Sequence, residues 1–324
     1  MARPAISPVV WQPPQSPARA REPRSARALP PLTVLDVLGR GPEDVLFDAE
    51  GRVLCGVSDG RILRLTPDGR TVEVLANTGG RPLGLEWLPD GALLVCDARL
   101  GLLRVTLSTG AVETLADGFS FCNNAAVAPD GTIYFSDSTG RLGIDHWKGE
   151  LLQHSGSGRL LRRGLGSEIT TLLDGLEFAN GVALAPDGTF VVVAETGAYR
   201  LMRWSVDDGT SSVLVDNLPG FPDNVSTGSD GLFWVAIGSP RDASLDRLLP
   251  LRPALRKAVW ALPDRFQPRP KHTVWVQAYA PDGRLVHDLQ APGGEFGFVT
   301  GVREKDGRVA LGSLTGGHLA QFSL

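Results

Sequence analysis

An all-β, six-bladed β-propeller is the fold this sequence predicts, on three observations. Turn-closing glycines recur at regular intervals, and strand-like apolar runs flank each of them. Gly and Pro are also abundant, with 39 and 24 among 324 residues. That much turn chemistry argues against a helical bundle, and a 42 % hydrophobic content excludes global disorder. A net charge of −4 gives no footing for nucleic-acid binding.

The blades follow from aligning the chain on Gly51, Gly91, Gly131, Gly188, Gly231 and Gly307, at intervals of 40, 40, 57, 43 and 76 residues. After each glycine runs a strand: RVLCGV, ALLVCDA, TIYFSDS, TFVVVAE, LFWVAIG and RVALGSL. Before each lies a shorter strand with small and polar residues: PEDVLF, PLGLEW, NNAAVA, NGVALA, DNVSTG and TGVREK. Third strands read RILRLT, GLLRVT, RLLRR and YRLMRWSV, and outer strands TVEVLA, AVETLA, EITTLLD and SSVLVD. Four short antiparallel strands in roughly 40–50 residues, repeated, is the propeller signature. Asp-Gly between strands suits hairpin turns that need positive φ. The last repeat supplies three clear strands, so residues 32–38 (LTVLDVL) are expected to complete it and close the ring.

The propeller is expected over residues 33–324. Residues 1–32 carry eight Pro, five Arg and one Glu and read as a disordered Pro/Arg-rich tail, with an Arg-rich targeting peptide as the other reading. No secretory apolar core or membrane-spanning run is seen in the sequence, so the expected location is cytoplasmic. The long intervals mark insertions: a polar, Gly-rich excursion at 138–158, and residues 239–270, where Leu245, Leu248, Leu249, Leu255, Val259 and Leu262 predict one or two short amphipathic helices broken by Pro250 and Pro253. These either cap the fold or form a lid with apolar substrate contacts over the channel mouth. Cys55, Cys96 and Cys122, without CxxC spacing, read as buried thiols.

The same register selects the chemistry. Eight residues before each turn glycine stand Glu43, Leu83, Asn123, Asn180, Asp223 and Val299; seven before stand Asp44, Gly84, Asn124, Gly181, Asn224 and Thr300. Equivalent inner-strand positions converge on the channel, so Glu43, Asn123, Asn180, Asp223 and Asn224 form a set of hard oxygen donors. Two carboxylates and three amides without His or Cys suit Ca²⁺, or another divalent cation.

The stretches GPEDVLFD, GRPLGLEWLPDGALLVCDARLGLLRV, NNAAVAPDGTIYFSDST, LEFANGVALAPDGTFVVVAETGAYRLMRW and LPGFPDNVSTGSDGLFWVAIGSPR resemble the strictosidine-synthase-like proteins, in particular their adipocyte plasma-membrane-associated branch. These are related to the paraoxonases and the senescence-marker/gluconolactonase proteins. The resemblance spans residues 38–324 and implies a six-bladed propeller with Ca²⁺ in its channel. Paraoxonase ligands match Glu43, Asn123, Asn180, Asp223 and Asn224; gluconolactonase ligands match Glu43, Asn180 and Asp223, with Asn123 lining the site. Three departures stand out. Thr300 replaces the catalytic Glu of strictosidine synthases, Asp97 stands at the position of a paraoxonase histidine, and Asn124 replaces one acid of a second paraoxonase calcium site whose other member matches Asp44.

The expected activity is metal-assisted hydrolysis of a small-molecule lactone or aryl ester, with the cation as Lewis acid and Asp223 as general base. Asp97, Asp137, His146 and His154 are the reserve candidates for the base. A non-catalytic binding propeller is the alternative, and a strictosidine-type condensation a third reading.

Overall fold

Tight Asp-Gly turns set the strand register. At Gly91 and Gly131 φ is +82° and +94°, a region open to glycine at little cost. The preceding Asp90 and Asp130 each accept, through Oδ1, the amide two residues on, from Ala92 at 3.1 Å and Thr132 at 2.8 Å. Strands reversed in this way assemble, in this computed structural model describing residues 3–324, into six four-stranded antiparallel sheets. The first strands of the sheets are Val45–Phe47, Pro82–Trp87, Cys122–Val127, Ala179–Leu184, Gly220–Thr227 and Val299–Lys305. Neighbouring first strands touch one another, which places them around the axis. Thr33–Asp36 pairs antiparallel with His318–Ser323 and supplies the outer strand of the sixth blade, as the chain pattern predicts. This removes the free edges that an open ring would expose.

Apolar side chains fill the spaces between blades. Phe190, Val192, Phe233, Val235 and Trp275 share one such core, and Trp234, Val276, Leu311 and Phe322 the next. The three cysteines are free and buried, and burial pushes the Cys55 thiol up to about 12.

A β-bulge recurs in the inner strands. Cys122 pairs with Asp137 and Ala125 with Phe135, so three steps on the inner strand match two on its neighbour. The same offset separates Ala179 from Val182, Pro222 from Val225, and Pro82 from Leu85. The extra residue falls at the two register positions, releasing both from the strict alternation of a strand. Close approach at the axis also restricts residue size. A Cβ on Gly181 would lie 2.0 Å from Val225 N, and one on Gly84 would lie 2.7 Å from Asn123 O.

Of the segment expected as a disordered tail, residues 1 and 2 lie outside the described residues and the rest packs on the propeller. Residues 3–32 run extended along the propeller, with one 3₁₀ turn at Ala18–Arg21 and with Ile6 and Ala20 buried. Eight prolines remove amide donors but favour extended chain, which packs when apolar and Arg side chains find partners. Trp11 lies 4.1 Å from the His154 ring between centroids, and Arg19 pairs with Asp288 at 2.6 Å. Composition recorded the missing donors and not these acceptors.

Both insertions contain helices: α1 (Trp147–Gln153) in the first, α2 (Ala243–Leu248) and α3 (Pro253–Ala261) in the second. Asp242 caps α2, and Pro253 occupies the first turn of α3, where its missing amide does no harm. Ile6, Leu142, Leu152, Leu245, Leu249 and Trp260 form one cluster joining the insertions to the N-terminal segment. Among the described residues no helix is long and apolar enough to cross a membrane.

Candidate functional site

The bulged strands deliver the register residues to one end of the channel. Glu43, Asn123, Asn180 and Asp223 line a cavity of about 110 Å³ there. Asn180 Nδ2 donates to Asp223 Oδ1 at 2.9 Å and to Thr196 Oγ1 at 3.2 Å. Asn123 Nδ2 donates to Ser138 Oγ at 2.8 Å, and Asn224 Nδ2 to Glu43 Oε1 at 3.0 Å. With their N–H groups committed, the three amides leave Asn123 Oδ1, Asn180 Oδ1 and Asn224 Oδ1 buried and unpartnered, together with Glu43 Oε2.

An unpaired buried acceptor costs about 1–3 kcal/mol, so four together call for a shared partner in the cavity, which a cation or water supplies. Among the described residues no group of three or more His, Cys, Asp or Glu could hold a metal ion. The donors assembled here are of another kind, two carboxylates and three amides, and hard oxygens of this sort fit a calcium-like cation. The charges agree. Burial, then repulsion from Asp223 and Asp44, raises the Glu43 carboxyl well above its usual range. Burial also raises Asp223, against the bond from Asn180. A cation beside them would favour the charged form of both.

Above this polar floor the walls are apolar. Phe121 meets Phe178 edge-on with centroids 5.7 Å apart, and Trp147 stacks on Phe298 at 6.4 Å. Ile144, Trp147 and Leu151 come from the first insertion, Leu245 and Gln267 from the second.

Two proposed catalytic carboxylates stand elsewhere. Asp97 is fully buried; its Oδ1 accepts the amides of Arg81, Arg99 and Leu100, and its Oδ2 accepts Thr78 Oγ1 at 2.8 Å. Asp137 Oδ1 accepts the Phe121 amide at 2.9 Å while Oδ2 pairs with Arg159 at 2.6 Å. Glu195 repeats the arrangement in blade four, accepting the Glu177 amide at 2.9 Å. All three carboxylates anchor the backbone leading into an inner strand, and neither Asp97 nor Asp137 lines the cavity. Their recurrence six or seven residues after a turn glycine was a signal for this structural role.

The reserve histidines are also outside it. His146 lies against Trp260. His154 is buried against Trp11, and burial holds its pKa down at about 3. Its Nε2 lies 3.7 Å from Glu177 Oε1, too far for a hydrogen bond. His154 is neutral at neutral pH, so the contact is no ion pair, and burial moves Glu177 up to about 7.

Asp44 and Asn124 stitch blades together. Asp44 Oδ2 accepts from the Leu85 amide and from Asn124 Nδ2, both at 3.2 Å, and Asn124 Oδ1 accepts the Val182 amide at 2.9 Å. Two supports of the site escape sequence reading, and Thr300 reads there only as a replaced glutamate. Ser138 and Thr196 orient Asn123 and Asn180 from the position just after the anchoring carboxylates, a recurrence visible in the register. Thr300 Oγ1 donates to the Glu43 carbonyl at 2.8 Å, so it serves as a brace where the resemblance to strictosidine synthases would require a glutamate.

Comparison with known proteins agrees with this architecture. The adipocyte plasma membrane-associated protein of Salmo salar is 32% identical over 319 residues, covering 88% of this chain and 76% of that protein. Protein STRICTOSIDINE SYNTHASE-LIKE 10 of Arabidopsis thaliana is 32% identical over 340 residues, covering 93% and 90%. A gluconolactonase structure from Xanthomonas campestris superposes with a TM-score of 0.66 at 19% identity, covering 99% of both chains. The calcium-binding protein regucalcin from Agrobacterium tumefaciens superposes at 0.62 and 16% identity, covering 89% of this chain and 94% of that one. At those identities the structural matches speak for the fold. The sequence model of the SMP-30/Gluconolactonase/LRE-like region matches residues 39–244, and the chain belongs to that family.

Proposed function

We propose that the protein is a calcium-dependent hydrolase of a small-molecule lactone or aryl ester. Four buried, unpartnered oxygens at the floor of an apolar cavity carry this reading. Glu43, Asn123, Asn180, Asp223 and Asn224 are the residues that would hold the cation. Ca²⁺, or a related divalent ion, would supply Lewis-acid polarisation of the substrate carbonyl.

The protein's own groups account for the rest. Asp223 faces the cavity and is oriented by Asn180, so it is the general base for a water molecule. Gly238 keeps space beside it, since a Cβ there would sit 3.2 Å from Asp223 Oδ2. Ser138 and Thr196 hold the amides so that their oxygens, and not their N–H groups, stay free. Phe121, Phe178 and Trp147 exclude water and bind the apolar part of the substrate. Gluconolactonase and regucalcin, named among the structural neighbours, are consistent with this chemistry.

The test is a panel of lactones and aryl esters assayed with and without chelator, and with Asp223→Asn. Turnover lost in both cases supports the mechanism; turnover unaffected by either removes it.

A further inference from the structure

Two cationic side chains on the cavity rim are left without work by the chemistry above. Lys148 projects from α1 and Arg269 from the segment after α3, and both line the same cavity as the acidic floor. The geometry points to a substrate with two unlike ends: an ester or lactone carbonyl that enters the floor, and a carboxylate or similar anion that stays at the rim with Lys148 and Arg269. This rests on the hydrolase reading and adds to it the class of substrate.

Among the described residues neither cation forms an ion pair with a rim carboxylate. Asp242 Oδ1 is committed to the cap of α2, accepting from the amides of Ser244 at 2.7 Å and Leu245 at 3.0 Å. Asp264, whose charge reaches Lys148, is exposed and paired with Arg3 at 2.5 Å. Lys148 Nζ rests 5.6 Å from the Trp147 ring centroid. Burial, helped by the charges of Arg269 and Arg3, lowers its pKa, so this lysine is partly desolvated rather than free in water. A desolvated ammonium at the mouth of an aromatic-walled cavity has one natural complement, an anion attached to an apolar body. The floor carboxylates face away from that role because they belong to the oxygen cluster.

Two ester probes of equal length separate the ends: phenyl hexanoate and the monophenyl ester of adipic acid, which differ by a terminal carboxylate. The corresponding anilides, hexananilide and adipic acid monoanilide, serve as binding probes by calorimetry, independent of turnover. With calcium present, the wild-type protein is expected to prefer the carboxylated member of each pair by about tenfold, equivalent to ~1.4 kcal/mol. Lys148→Met combined with Arg269→Gln should bring both ratios close to one, Lys148→Glu should reverse them, and high salt should shrink them. Equal use and equal binding of the two members by wild type, or a preference that survives the double substitution, overturns the inference and leaves hydrolysis standing. Binding of the monoanilide through Lys148 without cleavage of either ester keeps the anion site at the rim and overturns hydrolysis.

Discussion

Asn224 Nδ2 donates to Glu43 Oε1 at 3.0 Å across the channel, although the two residues are 181 positions apart. The bond joins the inner strands of blades five and one, which are not neighbours in the ring. It also turns Asn224 Oδ1 toward no protein donor and leaves Glu43 Oε2 bare. The floor is therefore a cluster of oxygens in which two amide N–H groups bond the carboxylates of the same set and leave the amide oxygens free.

Calcium should stabilise such a cluster. A ligand at a hundredfold excess over its Kd adds about 2.7 kcal/mol to the folded state. Titrating Ca²⁺ while following thermal unfolding is expected to raise the Tm of the wild type. Asn180→Ala should shift that titration to at least about tenfold higher calcium. An identical curve for the variant would remove Asn180 from the ligand set.

Asp223→Asn keeps the shape of the side chain and removes its basicity. Ester turnover is expected to fall by about 10²–10⁴-fold, the usual contribution of a general base. Circular dichroism should show the same fold, and the rates are compared at calcium that saturates the variant, so that the loss reads as chemistry and not as loss of the cation. Wild-type rates in the variant would place the base elsewhere.

Asp97→Asn and Asp137→Asn should behave in the opposite way. Each carboxylate accepts a buried amide and other donors, and the replacement is expected to cost about 1–3 kcal/mol of stability. Unfolding in urea measures that loss. Activity per folded molecule should change far less than in Asp223→Asn.

His154 adds a pH dependence of definite sign. Its folded-state pKa of about 3 lies below the ordinary 6.5, so between those values the unfolded chain binds the extra proton. Its effect is absent above about pH 6.5, and stability declines toward pH 3 by about 1.4 kcal/mol per unit. The raised carboxyls of Glu43, Asp223 and Glu177 act in the reverse direction, because the folded state then holds more protons as pH falls. The measurable quantity is therefore the difference between wild type and His154→Phe, whose slope with pH should carry the histidine contribution alone. A flat difference from pH 6.5 to 4 would contradict it.

Trp11 connects the N-terminal segment to the insertions. Its ring contacts His154, and its amide donates to the Leu249 carbonyl at 3.3 Å. Trp11→Ala is expected to lower stability by about 1–3 kcal/mol and to increase protease cleavage within residues 138–158 and 239–270. Unchanged proteolysis would mean that the segment lies on the insertions without holding them.

Much of this molecule is local, and local patterns are legible in a sequence. Turn glycines and the apolar runs beside them specified six blades, because hairpins form between neighbours in the chain; the missing fourth strand of the last repeat and the lone strand before the first specified the closure. The register also singled out Glu43, Asn123, Asn180, Asp223 and Asn224, since equivalent strand positions must face a common axis. Register alone did not tell Asp97 and Asp137 from catalytic acids. Whether a carboxylate is free depends on which amides and guanidinium groups surround it, here Arg81, Phe121 and Arg159. The bulges that aim two consecutive residues into the channel, and the acceptors that order a proline-rich segment, likewise exist only once distant strands have met. Periodicity gives direction along a strand; partners and burial are properties of the packed ring.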